Sequence, residues 1–261
     1  MQPTRIEKLF ERTRKENRAA FIAYVTAGDP SPEQTPEIVA ALERGGVDLI
    51  ELGVPFSDPI ADGPVIQRAA ARALQAGTTV PKVLDMARAI RKKSEIPLLL
   101  FTYLNPVLRY GLDKLARDAQ AAGIDGCLLT DVSVEEAEPY VAAMRAAGLD
   151  TVFLGAPTST ERRLKLVAQY STGFVYLVSR TGVTGEQADL SGSLVPLLER
   201  MRKVTKLPLA VGFGISTPEQ AGAVANLADG VVVGSAIVRQ IEKDPGGLES
   251  FVRSLAERMK Q

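Results

Sequence analysis

The chain is 261 residues long and carries 31 basic and 31 acidic side chains, which leaves no net charge at pH 7. This balance argues against a protein that binds nucleic acid or a membrane surface, because both need a positive face. The sequence holds no histidine and one cysteine, Cys127, which excludes a Ser-His-Asp triad, a histidine-ligated metal site and an intrachain disulfide.

The N-terminal residues 1–18 are charged throughout, and no apolar run is long enough to span a bilayer. We therefore expect a cytoplasmic protein with a reduced cysteine, and Cys127 is interpreted as a small apolar core residue. With 46% hydrophobic and 24% charged residues, the composition is that of an ordinary globular protein.

The pattern along the chain predicts a leading helix over 5–15 and then eight short apolar strands, each followed by a helical segment. The helices end at glycines such as Gly45, Gly77, Gly123 and Gly148, which is the usual C-terminal signal. The predicted strands are 21–26, 48–54, 97–103, 126–130, 151–154, 174–178, 209–213 and 230–233.

These strands are continuous Val, Ile, Leu and Phe runs, which indicates parallel strands buried on both faces. Eight such units in this length predict a single TIM barrel, a closed (β/α)₈ fold, over residues 1–261. An open doubly wound sheet is the alternative. In a barrel, the chemistry would lie at the carboxyl ends of the strands.

Three carboxylates surround the end of the second strand. Glu51 lies within an apolar run, and Asp58 and Asp62 lie in the loop that follows. A charge inside a buried strand is costly unless it is paired or used, so Glu51 is a candidate acid–base group. It could also belong to a structural ion pair, and the two aspartates could be turn residues beside Pro59 and Gly63.

Three glycine-rich segments late in the chain predict a phosphate site. They are 182–185, 212–216 and 234–236, and the last two follow the seventh and eighth strands. Barrels commonly bind phosphate there, at the N-terminus of a short extra helix, which would begin at Ser235. Glycines that only form tight turns are the alternative reading.

Six motifs in chain order carry a family resemblance: residues 21–30, 51–67, 103–107 with Tyr110 and Gly111, 179–185, 212–216 and 234–238. With these motifs the chain resembles the α subunit of tryptophan synthase over nearly its whole length. The resemblance implies retro-aldol cleavage of indole-3-glycerol phosphate to indole and glyceraldehyde 3-phosphate. It also implies no cofactor in this chain and a partner β subunit, carrying pyridoxal phosphate, in an α₂β₂ complex.

The same resemblance implies roles for particular residues. Glu51 corresponds to the general acid–base carboxylate and Asp62 to the second catalytic carboxylate, which accepts a hydrogen bond from the indole N–H. A mobile lid over the substrate corresponds to residues 180–192. The positions implied for phosphate, indole or lid contacts are Gly185, Gly214, Gly234, Ser235, Tyr176, Phe213, Thr184, Arg180 and Gly182.

Pro55, Phe56 and Asp58 are candidates for a rim that contacts the partner subunit. One segment departs from the family pattern, since residues 130–136 lack three prolines that the family usually has there. We expect this loop, in the region that docks on the partner, to be less rigid.

Phe21, Leu100, Leu128, Tyr176 and Phe213 are the candidates for an apolar indole pocket. Two other functions remain open from the sequence. The chain could be a free-standing lyase that releases indole without a β subunit, or a non-catalytic barrel that binds a phosphosugar.

Overall fold

The structure is a computed structural model that describes residues 3–178, 190–212 and 214–260. Its strands are β1 (Ala20–Thr26), β2 (Leu49–Gly53), β3 (Leu98–Thr102), β4 (Gly126–Leu129), β5 (Asp150–Val152), β6 (Leu154–Gly155), β7 (Val175–Val178), β8 (Leu209–Gly212) and β9 (Gly230–Val233).

Helices surround these strands. They are α1 (Arg5–Lys15), α2 (Thr35–Arg44), α3 (Pro64–Gln75), α4 (Val80–Arg91), α5 (Leu104–Tyr110), α6 (Leu112–Ala121), α7 (Glu138–Ala146), α8 (Glu161–Tyr170), α9 (Leu190–Arg202), α10 (Pro218–Ala225), α11 (Ser235–Lys243) and α12 (Leu248–Arg258), with 3₁₀ turns at Val134–Glu136 and Pro245–Gly247. Within the described ranges, no helix is long and apolar enough to cross a membrane.

All strand pairs are parallel, and their order in the sheet is β5-β4-β3-β2-β1-β9-β8-β7-β6. The two strands at the ends of this order, β5 and β6, follow each other in the sequence. Only Phe153 separates β5 from β6, and its N–H bonds to the Ser171 hydroxyl, 3.3 Å away, instead of a neighbouring strand. The fifth predicted strand is therefore one strand with an interruption. The eight-stranded barrel is confirmed and the open sheet is wrong.

The sequence did not predict α5, because Asn105-Pro106 after a strand is typical of a loop. In the structure Pro106 is the third residue of the helix. A missing N–H costs nothing in the first turn, where the amides have no partner within the helix.

The interior of the barrel is closed at its amino end by α1. Ile6, Leu9 and Phe10 are buried in the same apolar cluster as the inward side chains of the strands, and the Phe10 ring lies 5.5 Å from that of Phe174. A capping box between Thr4 and Glu7 begins this helix. Thus the apolar side chains of α1 complete the core at the end of the barrel that the strands alone leave open.

Asp48, just before β2, joins α1 to the barrel. Its carboxylate accepts hydrogen bonds from the guanidinium groups of Arg12 and Arg18 at 2.6–2.9 Å. It also accepts one from the Phe21 backbone amide at 2.9 Å. Asp48 is only 7% exposed, so its removal would leave buried donors without an acceptor.

Asp48→Ala is expected to lower the free energy of unfolding by about 3–5 kcal/mol, the usual cost of breaking a buried ion pair from one side. Urea unfolding followed by circular dichroism measures this change. The matched control is Asp85→Ala, which removes an exposed i,i+3 partner of Arg88 and should cost at most about 1 kcal/mol. Equal losses in the two variants would contradict the proposed anchoring.

Candidate active site

A cavity of about 440 Å³ opens at the carboxyl ends of the strands. Its size suits a small-molecule ligand. The lining residues used below are Tyr24, Glu51, Asp62, Phe101, Leu154, Tyr176, Val178, Gly214, Val232, Gly234, Ser235 and Arg239.

Glu51 lies at the inner wall of this cavity and is 1% exposed. Among the residues that the structure describes, its Oε1 atom has no hydrogen-bond partner. Burial without a compensating charge raises the pKa of Glu51 to about 8. At neutral pH the side chain is therefore mainly a neutral acid that can donate a proton.

Asp62 lines the same cavity from the loop between β2 and α3. Its Oδ2 atom accepts a hydrogen bond from the Tyr103 hydroxyl at 2.9 Å, and that hydroxyl accepts one from the Ala61 amide at 3.0 Å. Burial raises the pKa of Asp62 to about 6, while the bond from Tyr103 acts in the opposite direction. Asp62 is thus mainly ionised at pH 7.

Tyr24 is a site residue that the sequence analysis did not identify. It is the register partner of Glu51 on β1, and its ring lies 5.2 Å from that of Phe101. A Cβ atom at Gly53 would come within 2.3 Å of the Tyr24 hydroxyl, so glycine is required there. Strand register could have indicated Tyr24, since side chains beside Glu51 on parallel strands face the same side.

The glycines of the predicted phosphate site lie across the same cavity. Gly234 is the N-cap residue of α11 and Ser235 begins the helix, so the N-cap position carries no side chain that could cap the first turn. Gly214 has a positive φ of 79° and open space where a Cβ would stand. Free amides at a helix N-terminus, with glycines beside them, form a cradle that suits an anion.

The structure brings six of the predicted site residues into one cavity: Glu51, Asp62, Tyr176, Gly214, Gly234 and Ser235. Five others lie outside the described residues: Arg180, Gly182, Thr184, Gly185 and Phe213.

Three predictions for the apolar pocket are wrong, because Phe21, Leu100 and Leu128 do not line the cavity. Phe21 and Leu100 are buried between the sheet and the helices, on the outer face of their strands. Leu128 faces the interior of the barrel but does not line the cavity. Phe101, Leu154 and Val232 are the apolar residues that line it instead.

The rim residues occupy different environments. Pro55 is buried, and Phe56 is half-buried with its ring 5.3 Å from that of Tyr103. Asp58 is exposed and accepts a hydrogen bond from the Ser57 hydroxyl at 2.6 Å. Ile60, which the sequence analysis did not single out, is 81% exposed.

Side-chain contacts attach the loop 130–136, which lacks the family's prolines, to neighbouring segments. Asp131 accepts a hydrogen bond from the Leu104 amide at 2.7 Å, and the Thr130 hydroxyl donates to the Thr102 carbonyl at 3.2 Å. Glu135 forms an ion pair with Arg163 at 3.2 Å. These contacts attach the loop to α5, β3 and α8, and its lower rigidity stays a prediction.

A larger cavity, of about 680 Å³, lies at the opposite end of the barrel beside α1. Its buried carboxylate, Asp125, accepts hydrogen bonds from Arg5 at 3.0 Å and Arg91 at 3.2 Å. Because that charge is already paired, its contacts hold this end of the fold together.

The fold and the smaller cavity define a class: a (β/α)₈ barrel whose ligand cavity, at the carboxyl ends of its strands, contains two carboxylates with raised pKa values. The family model described as tryptophan synthase alpha chain matches residues 10–261. The chain therefore belongs to the tryptophan synthase alpha chain family, a family of lyases in tryptophan biosynthesis.

Individual relatives agree with this assignment. The tryptophan synthase alpha chain of Solibacter usitatus is 67% identical over 258 residues, with 97% of each chain covered. That of Geotalea uraniireducens is 50% identical, covering 93% of this chain and 91% of the relative. A structure of tryptophan synthase from Mycobacterium tuberculosis superposes with a TM-score of 0.93 at 38% identity, with both chains fully covered.

The raised pKa of Glu51 leads to a pH dependence of stability. Because the ordinary value is 4.5 and the folded value about 8, the folded chain binds the proton more tightly. The contribution of this group to stability is complete below pH 4.5 and is lost as the pH rises toward 8, a loss of at most about 5 kcal/mol. Glu51→Gln should remove that part of the fall, so the variant should be the more stable protein at pH 8.5.

Urea unfolding of the two proteins at pH 5, 7 and 8.5 measures the difference. Glu219→Gln, at an exposed position of α10, is the control and should follow the wild type. If the wild-type and Glu51→Gln curves ran parallel with pH, Glu51 would not have the raised pKa.

Proposed function

We propose that this chain cleaves indole-3-glycerol phosphate to indole and glyceraldehyde 3-phosphate, as the α subunit of a tryptophan synthase. One observation carries the proposal: Glu51, buried and with no partner for its Oε1 atom among the described residues, shares a cavity with the N-terminus of α11, where the N-cap residue Gly234 has no capping side chain. An acid–base carboxyl and an anion cradle in one cavity fit a phosphorylated substrate whose reacting bond lies at the other end.

The proposed reaction needs two proton movements and no change of oxidation state. Protonated Glu51 gives its proton to indole C3, which creates a cation on the ring. The bond from C3 to the glycerol carbon then breaks, and its electron pair restores the aromatic indole. The hydroxyl on that carbon returns its proton to Glu51 as the aldehyde forms, so the acid is regenerated.

Asp62 has a complementary task in this proposal. As a carboxylate at pH 7 it accepts a hydrogen bond from the indole N–H and stabilises the developing positive charge. Tyr103, which donates to its Oδ2 atom, fixes the orientation of the carboxylate. Because Glu51 supplies both proton transfers and Asp62 the charge stabilisation, the proposed steps use no cofactor in this chain, and pyridoxal phosphate is proposed to belong to the β subunit.

The partner is proposed to dock on a rim formed by the loop 54–63 and by α5. Tyr103 joins these segments, because Phe56 packs on its ring and Ala61 bonds to its hydroxyl. Each segment carries an exposed apolar side chain, Ile60 at 81% and Leu108 at 59%. Exposed apolar groups beside a site mark a surface for a partner protein.

The direct experiment is to incubate the purified chain with indole-3-glycerol phosphate and measure indole release, with and without a purified β subunit. Release that the β subunit accelerates supports the α-subunit role. Release that the β subunit leaves unchanged favours the free-standing lyase, and binding without release favours the phosphosugar-binding barrel.

Glu51→Gln is expected to lower kcat by about 10²–10⁴-fold, because the amide cannot exchange the proton. Binding should persist, since the amide has nearly the same shape, and fluorescence titration with uncleaved substrate measures it. Glu219→Gln serves again as the control. Undiminished cleavage by Glu51→Gln would refute the carboxyl mechanism.

The double variant Ile60→Asp/Leu108→Asp is expected to weaken binding to the β subunit at least about tenfold, because it places charges in an apolar contact. Isothermal titration calorimetry with the purified β subunit measures the affinity. Leu227→Asp, another exposed leucine at 41%, is the control for a new surface charge. An unchanged affinity in the double variant would show that the partner docks elsewhere.

A further inference from the structure

We infer that Arg239 is a phosphate-binding residue that adds a full positive charge to the cradle at the N-terminus of α11. The inference rests on the proposed function and deepens it. The sequence analysis located the cradle at the glycine-rich segments and at Ser235 and did not name Arg239.

The position of Arg239 on the helix is the first argument. It follows Ser235 by four residues, so the two lie on one face of α11, and side chains of a helix lean toward its N-terminus. Arg239 lines the same cavity as Gly214, Gly234 and Ser235. Of the lining residues that the structure describes, it is the one with a cationic side chain.

The second argument is that Arg239 has no counter-ion in the described part of the chain. The acidic residue one turn further along α11, Glu242, is already engaged by α3. Its carboxylate lies 2.8 Å from Arg72 and 3.6 Å from Arg68. Arg72 in turn forms a two-point pair with Asp29. Glu242 and Asp29 are thus engaged by α3, and the charge of Arg239 is left for a ligand.

The third argument concerns the charge of the cavity. Ionised Asp62 contributes a negative charge at pH 7 and repels an anion, whereas Glu51 is mainly neutral. The unpartnered buried Oε1 of Glu51 independently marks this cavity as a ligand site. A phosphate dianion held there gains from a fixed cation beside the helix N-terminus, and a guanidinium offers a fork that matches phosphate oxygens.

The test uses Arg239→Gln and Arg239→Lys, with Lys243→Gln as the matched control. Lys243 lies one turn further along α11, is exposed and does not line the cavity. Calorimetric titration with inorganic phosphate is the binding readout. Loss of one charge-assisted contact should weaken phosphate binding about tenfold in Arg239→Gln, less in Arg239→Lys, and hardly in Lys243→Gln.

In steady-state cleavage, Arg239→Gln should raise KM by about tenfold and leave kcat nearly unchanged, because the phosphate lies away from the reacting bond. Thermal unfolding should match the wild type, since an exposed, unpaired side chain contributes little to the fold. Equal phosphate affinity and equal KM in Arg239→Gln and the wild type would overturn the inference and leave the proposed cleavage standing.

The two proposals fail in different ways. A wild type that binds phosphate through Arg239 but releases no indole would overturn the proposed cleavage and support the role of Arg239. A wild type that cleaves the substrate but does not bind inorganic phosphate, with an unchanged KM in Arg239→Gln, would overturn the role of Arg239 alone.

Discussion

The closed parallel ring is the constraint on which the rest of the structure depends. Along each strand, alternate side chains must point into a space that the ring shields from water. On β2 this places Leu49 and Glu51 inside and Ile50 and Leu52 outside. The raised pKa of Glu51 therefore follows from strand register, because the register buries the carboxyl in the interior of the barrel.

The buried carboxyl groups at the two ends of the barrel differ in their hydrogen-bond and ion-pair partners. At the amino end, Asp48 and Asp125 are paired with arginines, and Asp150 accepts a hydrogen bond from the Thr4 hydroxyl at 2.6 Å. These contacts hold α1 under the barrel and close its core. At the carboxyl end, the Oε1 atom of Glu51 has no hydrogen-bond partner within the part of the chain that the structure describes. The paired carboxylates and the candidate acid–base group thus lie at opposite ends of the barrel.

The sequence predicts where the strands lie more accurately than it predicts which way their side chains face. β9 was predicted with its observed bounds and β2 within one residue at each end, because apolar runs bounded by glycines and charges are distinctive. Because the strands are apolar on both faces, their sequences show no alternation of polar and apolar residues. The sequence therefore does not distinguish Phe21, which faces the helices, from Tyr24, which faces the cavity. The charged side chain of Glu51 was the signal used for the side of the strand that faces the cavity. The pairing register of β1 with β2 then places Tyr24 beside it.

The different protonation of Glu51 and Asp62 at neutral pH arises from the elements that carry them. Glu51 is fixed on a strand, where burial alone sets its pKa. Asp62 is on a loop, and its pKa balances burial against the hydrogen bond from Tyr103. Because Tyr103 also bonds to Ala61 and packs on Phe56, the hydrogen bond that lowers the pKa of Asp62 belongs to the same set of contacts that holds the loop. The protonation of Asp62 therefore depends on the conformation of the loop, whereas that of Glu51 depends on the burial of its strand.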